Sequence, residues 1–196
     1  IATDGSPKLP MLVPIRGLVH NDGGPAISQA AVERIGAYVG KGGRYDSLEA
    51  AADAMWALST TFGPHTREQW LALSRHMVVP AAEGRADGRA KVAAAPGADA
   101  APVVLHYDPA IGEPIRAITP EAAAQGEAAM WGLYDAITAR TLLLRGAQSD
   151  LLTRETAQAM TQRGPGARLV EFEEVGHAPT LVAPAQHGVV VDFLLD

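Results

Sequence analysis

The prediction of the fold depends first on residues 141–173, whose sequence is TLLLRGAQSDLLTRETAQAMTQRGPGARLVEFE. Two short apolar runs, Thr141 to Arg145 and Arg168 to Glu173, lie next to glycines, which is typical of buried parallel strands. Between them, Thr153 precedes a stretch of helical composition that ends at Gly164, and this favours an N-capped helix. Residues 141–173 therefore predict a strand–helix–strand unit with parallel strands.

Two more elements extend this unit. Residues 15–20 form an apolar run between Pro14 and a turn that contains Gly23 and Gly24, so a third strand is predicted there. Residues 184–195 begin with proline and are apolar at helical spacing, which predicts a closing helix. The predicted fold class is α/β, with about three parallel strands and ligands at their carboxyl ends.

The middle of the chain, residues 28–135, has a different character. It is rich in alanine and has four helical patterns, so it is predicted to be a helical insertion between core portions 1–27 and 136–196. Within it, residues 80–102 have few large apolar side chains, which leaves a weak helix–loop segment or a linker as alternatives. The helical patterns cover residues 30–39, 48–60, 67–78 and 120–136.

Composition limits the classes of function. A length of 196 residues allows one domain with an insertion, and the absence of cysteine excludes disulfides and thiolate chemistry. The net charge of −6 offers no basic field for phosphates, so no nucleic-acid partner is expected. Because no apolar run reaches the roughly 18 residues of a membrane span, and no secretory leader is visible, we expect no membrane partner and a cytoplasmic location. The missing initiator Met suggests a mature or cleaved piece.

Two residues follow predicted strands at the edge where active sites form. Asp150 lies in the Gly-Ala-Gln-Ser-Asp segment and His177 in the Val-Gly-His-Ala-Pro segment. An imidazole can move a proton to and from a nucleophile near neutral pH, and a carboxylate fixes its tautomer. Taken singly, each residue is more typical of a surface turn or helix start than of a catalytic site. Together they predict an acid–histidine pair.

Four segments carry a resemblance to a known family. They are Leu-Val-His-Asn-Asp-Gly-Gly-Pro at 18–25, His-Tyr-Asp-Pro-Ala-Ile at 106–111, Leu-Leu-Leu-Arg-Gly-Ala-Gln-Ser-Asp at 142–150 and Gly-His-Ala-Pro at 176–179. With them the chain resembles the carboxyl-terminal half of an α/β-hydrolase. The resemblance implies that residues 15–20 are the sixth strand of the family's sheet and residues 28–135 its helical cap. It also implies that Asp150 is the acid and His177 the base of a catalytic triad.

The nucleophile of that family is missing from the sequence. It belongs to a Gly-x-Ser-x-Gly elbow, and none of the six serines, at positions 6, 28, 47, 59, 74 and 149, has both flanking glycines. Asp22 is the alternative nucleophile, in an aspartate elbow. Gly24 lies two residues after it, but His20 lies two residues before it, where the tight turn needs a small side chain, so this alternative is disfavoured. The resemblance therefore implies a nucleophile outside this chain, in a missing amino-terminal part.

The sequence also leads to predictions for Asp22, His20, Trp131 and metal binding. Asp22 is expected to accept hydrogen bonds from loop amides beside Gly23 and Gly24, and it is the possible alternative acid. His20 is expected to be a buried histidine with its hydrogen bonds satisfied. Trp131 is the tryptophan expected nearest a substrate pocket. No metal site and no cofactor are expected, because no further ligands are spaced around His20 and Asp22.

Two functions follow from these expectations. The first is a serine-type hydrolase of small, apolar esters or related acyl compounds, whose partners are its substrate and the missing half. The second is a non-catalytic hydrolase fragment that acts as a binding or interaction module. A half-sheet with an open first strand also favours self-association. An in-frame Gly-x-Ser-x-Gly upstream of Ile1 would favour the enzyme.

Overall fold

The computed structural model describes residues 15–81 and 102–196. The elements in these ranges alternate between strands and helices at both ends, and most of the helices lie between residues 29 and 135. In chain order they are β1 (Gly17–Asn21), α1 (Gln29–Gly36), β2 (Arg44–Tyr45), α2 (Leu48–Ser59), α3 (Arg67–Arg75), β3 (Val78–Pro80), β4 (Val103–Leu105), α4 (Gly112–Ala117), α5 (Pro120–Asp135), β5 (Arg140–Gly146), α6 (Arg154–Gln162), β6 (Arg168–Phe172) and α7 (Pro184–Leu195).

The main sheet has three parallel strands in the order β1-β5-β6. The central strand β5 has an apolar middle, in which Leu142, Leu143 and Leu144 have no exposed surface. Strand β5 can be apolar at successive positions because helices cover both faces of a parallel sheet. Leu143 packs with the helices α5 and α6, while Leu142 and Leu144 pack with Phe193 of α7. The predicted α/β class and the three predicted strands are confirmed.

Side-chain caps fix where the helices begin. Ser28, Ser47, Thr66, Thr119 and Thr153 each accept a hydrogen bond from a backbone N–H in the first turn of the helix that follows. Such a cap satisfies one of the four unpaired N–H groups at a helix start, and its loss costs about 1 kcal/mol. The four helices predicted in residues 28–135 are present as α1, α2, α3 and α5.

The insertion, residues 28–135, also contains a sheet that the sequence did not predict. The short strands β2, β4 and β3 form an antiparallel sheet in that order. Each has only two or three residues, which is too few for an alternating apolar pattern to stand out. Most of the segment 80–102, predicted as a weak helix–loop or linker, lies outside the described residues. The division into core and insertion as separate domains stays a prediction.

No helix in the described ranges is long and apolar enough to span a bilayer.

Candidate active site

Three loops meet at the carboxyl ends of the parallel strands. Asp22 follows β1, Gly146 ends β5, and His177 lies in the loop between β6 and α7. A carbon atom added to Gly146 would lie 2.2 Å from the carbonyl oxygen of Gly176 and 2.4 Å from that of Val175. Only a glycine therefore allows this close approach, which brings the His177 loop against the end of β5.

His177 and Asp22 form the central contact of the site. His177 Nδ1 lies 2.8 Å from Asp22 Oδ2, a hydrogen bond between residues 155 positions apart in the chain. Asp22 is fully buried, whereas 29% of the His177 side chain is exposed. The Asp22 carboxylate accepts the Nδ1 proton, which fixes the tautomer with a lone pair on Nε2. That Nε2 makes no hydrogen bond to any residue in the described ranges.

Two more donors hold the Asp22 carboxylate. The Gly146 N–H donates to Oδ1 at 2.9 Å, and the Ser149 hydroxyl donates to Oδ2 at 2.6 Å. The Asp22 backbone has a φ of 52°, a left-handed conformation that aspartate adopts more readily than most residues, and its N–H still pairs with the Leu144 carbonyl. The acceptor role expected for Asp22 is therefore present, but its backbone donor is Gly146 rather than an amide beside Gly23 or Gly24.

Asp150, the predicted acid, binds Arg34 instead of His177. Its carboxylate accepts two hydrogen bonds from the Arg34 guanidinium, at 2.8 and 3.0 Å, and about half of its side chain is exposed. The expected hydrogen bond between Asp150 and His177 is not formed. The reason is the direction of neighbouring side chains in the β5–α6 loop: Ser149 points inward to Asp22, and the next residue points outward to helix α1.

The insertion contacts the His177 loop on both sides of the histidine. On one side, the Gly176 N–H donates to the carbonyl oxygen of Thr61. On the other, His65 Nε2 lies 2.8 Å from the Thr180 hydroxyl. His65 Nδ1 donates to the Gly63 carbonyl, so in the neutral ring Nε2 accepts the Thr180 proton. Residues 61–65 therefore fix the backbone that positions His177.

Trp131 contacts a different edge of the sheet. Its ring lies under the Arg163 guanidinium at 4.1 Å and meets Tyr134 edge-on at 5.9 Å. It is four residues from the end of α5, which leads into the amino end of β5, whereas Asp22 and His177 follow carboxyl ends. These contacts give the substrate role predicted for Trp131 no support, and they explain the tryptophan by packing and a cation–π interaction.

His20 is half-buried rather than buried, and it lacks the satisfied hydrogen bonds that we expected. Its Nε2 has no hydrogen-bond partner among the described residues, and its ring meets Tyr134 edge-on at 6.0 Å. Burial lowers the pKa of His20 below the ordinary value of about 6.5 because the charged ring is poorly solvated there. Burial therefore favours the neutral form of His20.

This burial predicts a pH-dependent stability. Because the pKa of His20 is lower in the folded state, the unfolded state binds more protons as the pH falls below about 6.5, and the free energy of unfolding decreases. The part of the folding stability that depends on a neutral His20 is fully present above that pH and decreases on acidification. In urea titrations of the chain between pH 7.5 and 5, the loss on acidification should be smaller for His20→Leu than for the parent. Equal losses would contradict the assignment.

Comparisons with known proteins agree with this architecture. The chain is 43% identical over 180 residues to a 3-hydroxybutyrate-oligomer hydrolase of Cupriavidus necator, covering 92% of this chain and 57% of that protein. It superimposes on an α/β hydrolase from Novosphingobium aromaticivorans with a TM-score of 0.68 and 32% identity, covering 90% of this chain and 55% of that one. The chain has a partial α/β-hydrolase fold. An esterase from Mycobacterium tuberculosis, 19% identical with a TM-score of 0.59, shows the same fold.

The partial α/β-hydrolase fold spans little more than half the length of these relatives. No family model matches the sequence. Because the chain covers only part of these proteins, their activity cannot be assigned directly to it. The fold in the structure is nevertheless that of the family that the four sequence segments resemble.

Sequence reasoning missed two residues of the site. Ser149 was considered only as a nucleophile, and Arg145 only as the end of a strand. Arg145 is 4% exposed and pairs with Glu171 at 2.6 Å. An arginine next to an apolar run, with a glutamate in the next predicted strand, was the one available signal, because a buried charge requires a partner.

Proposed function

We propose that the chain supplies the acid and base of a serine-type hydrolase, with Asp22 as the acid and His177 as the base. The observation that carries the proposal is the hydrogen bond from His177 Nδ1 to the buried Asp22, with the opposite ring nitrogen unengaged by the described residues and the side chain partly exposed. An imidazole held in this way has one nitrogen fixed and the other available for a proton.

The chemistry requires a hydroxyl nucleophile beside His177 Nε2. The hydroxyl oxygen attacks the carbonyl carbon of an ester while its proton passes to Nε2, and the imidazolium then gives that proton to the departing alcohol. Water repeats the sequence on the acyl-enzyme and releases the acid. Asp22 stays ionised and stabilises the imidazolium in both halves of the reaction. Net, one ester and one water become one alcohol and one acid.

The nucleophile is proposed to belong to polypeptide outside these 196 residues. None of the six serines has the glycine on both sides that a nucleophile elbow needs. The serine that comes nearest to the histidine's partner, Ser149, has its proton bound to Asp22 and is 8% exposed. Its oxygen also accepts from the Leu151 and Leu152 N–H groups, so burial and these two bonds leave no lone pair free to attack a substrate.

The open edge of the main sheet is the proposed docking place for that polypeptide. Strand β1 pairs with β5 on one side, and the described residues provide no strand on the other. Apolar side chains are exposed around it: Ile15 by 71% and Leu194 by 57%, the latter touching the position where Gly17 would carry a side chain. An unpaired parallel strand with apolar flanks favours association, so the complementary part, or failing that a second copy, should cover this edge.

The proposed substrates are small, fairly apolar esters. The name of the Cupriavidus necator relative supports this class, because oligomers of a hydroxy acid are joined by ester bonds. A hydroxybutyrate ester of two or three units is small and uncharged over most of its length. It would need no basic cluster in the site, which agrees with the acidic balance of the chain.

The proposal predicts that activity requires complementation. The 196-residue chain alone should not react with a fluorophosphonate probe, because none of its serines lies in the Gly-x-Ser-x-Gly sequence of a nucleophile elbow. The same chain expressed with the coding sequence that precedes it should be labelled on a serine of the added part, and it should hydrolyse 4-nitrophenyl butyrate and a 3-hydroxybutyrate dimer. Substituting that serine by alanine is the control.

Two outcomes would count against the proposal. Labelling of the isolated chain at one of its own six serines would contradict the external nucleophile. A complemented protein that is folded but unreactive toward the probe and both esters would contradict hydrolase activity. The second outcome would favour a non-catalytic binding module.

A further inference from the structure

Ser149 occupies an unusual place for a serine that is not a nucleophile. It is 8% exposed, and its hydroxyl donates to Asp22 Oδ2 at 2.6 Å. The same carboxylate oxygen receives the Nδ1 proton of His177 at 2.8 Å. One oxygen of the proposed acid therefore binds both the base and this serine.

The direction of the Ser149 proton is fixed by the backbone that follows it. The N–H groups of Leu151 and Leu152 both point to the Ser149 oxygen, at 3.3 and 3.2 Å. A hydroxyl has one proton and two lone pairs, so two N–H donors occupy the acceptor positions and leave the proton for Asp22. The hydroxyl is thereby prevented from rotating away from the carboxylate.

The loop itself is fixed by a buried charge. Arg145 Nε donates to the Leu152 carbonyl at 2.9 Å, and its terminal nitrogens reach the carbonyls of Ala147 and Ser149 at 3.4 Å. Glu171 balances the Arg145 charge at 2.6 Å. Three carbonyls of one short loop thus converge on a single guanidinium. This arrangement determines that Ser149, rather than its neighbour, points inward.

We propose that Ser149 is a positioning residue for the Asp22–His177 pair. The Gly146 N–H holds Asp22 Oδ1 and the Ser149 hydroxyl holds Oδ2, so the carboxylate cannot rotate about its terminal bond. The lone pair of Oδ2 that accepts the His177 proton then keeps one direction. The inference rests on the proposed function for its catalytic meaning, but the geometry that it describes exists in the chain itself.

The test follows the His177 Nδ1 proton by NMR in the 196-residue chain, alone and complemented. With Ser149→Ala, exchange of this proton with water should become at least ~10-fold faster, the size expected when a hydrogen bond to a carboxylate is lost. Ser149→Thr keeps a hydroxyl and should restore slow exchange. In the complemented enzyme, Ser149→Ala should lower kcat by ~10-fold or more with little change in KM, since Ser149 is almost fully buried and is proposed to act through Asp22 rather than on the ester.

Thr153→Ala is the matched control. It removes the α6 cap, whose oxygen accepts from the Thr156 N–H at 3.1 Å, and leaves Asp22 untouched. It should lower the melting temperature without changing the exchange of the His177 proton. If Ser149→Ala does not fold, Ser149→Cys replaces it, because a thiol fills the same space and donates only weakly.

The outcomes separate this inference from the proposed function. Parent-like proton exchange and kcat in Ser149→Ala, or in Ser149→Cys if that variant is needed, would overturn the positioning role even in an active enzyme. Faster exchange in both Ser149→Ala and Thr153→Ala would also overturn it, because loop stability alone would then explain the effect. If the complemented protein is inactive, the proposed function fails, and the proton exchange in the chain still decides the role of Ser149.

Discussion

His177→Ala is expected to lower kcat/KM of the complemented enzyme for 4-nitrophenyl butyrate by about 10⁴-fold or more, the loss seen when the base of a serine triad is removed. The imidazole is the group that takes the nucleophile's proton and returns it to the alcohol. Asp22 cannot replace it, because this carboxylate is fully buried and, without His177, still accepts from the Gly146 N–H and the Ser149 hydroxyl. Initial rates over a range of ester concentrations measure the effect.

His187→Ala is the control for this substitution. His187 lies on α7, its side chain is exposed, and it is outside the strand-end loops. Its rate should stay within about twofold of the parent, as expected for an exposed residue away from the site. If His177→Ala keeps more than about a tenth of the parent rate, His177 is not the base, since a general base contributes at least 10²-fold.

Much of the fold could be predicted because its signals are local. The apolar run of β5 and the glycine beside it are visible in the sequence, and Thr153 indicates the start of α6. The second sheet could not be predicted in this way. Its strands β2, β3 and β4 are stabilised by pairing with one another, a property that no window of two or three residues contains.

Of the site, the position of the histidine could be predicted from the sequence, but its carboxylate partner could not. The position of His177 after β6 was visible, because a parallel sheet places strand ends at one edge. The carboxylate that contacts His177 could not be predicted in the same way. Ser149 and Asp150 are adjacent, and the turn of one loop decides which of the two side chains points inward. That turn depends on hydrogen bonds from the buried Arg145 guanidinium to carbonyls of the loop, and the sequence pattern does not show how this side chain is oriented. The partner that the structure shows, Asp22, is 155 residues away.

The identity of the acid leads to the second large expected effect. Asp22→Asn should lower kcat of the complemented enzyme by about 10³ to 10⁴-fold, as expected when the acid of a triad becomes an amide. The amide nitrogen would replace an oxygen that now accepts protons from Ser149 and His177. To avoid two donors facing each other, the His177 ring would carry its proton on Nε2, which then cannot accept one from the nucleophile.

Asp150→Asn tests the competing assignment with the same change of charge. The Asp150 carboxylate is half exposed and bound to Arg34, so its loss should cost at most about 1 kcal/mol of stability and change kcat by less than about threefold. Steady-state kinetics on both variants, with circular dichroism to verify folding, therefore ranks the two acids directly. A large loss in Asp150→Asn together with a small one in Asp22→Asn would mean that the active enzyme pairs His177 with Asp150. The loop after β5 would then have to turn over when the complementary part binds, breaking the contact of Asp150 with Arg34.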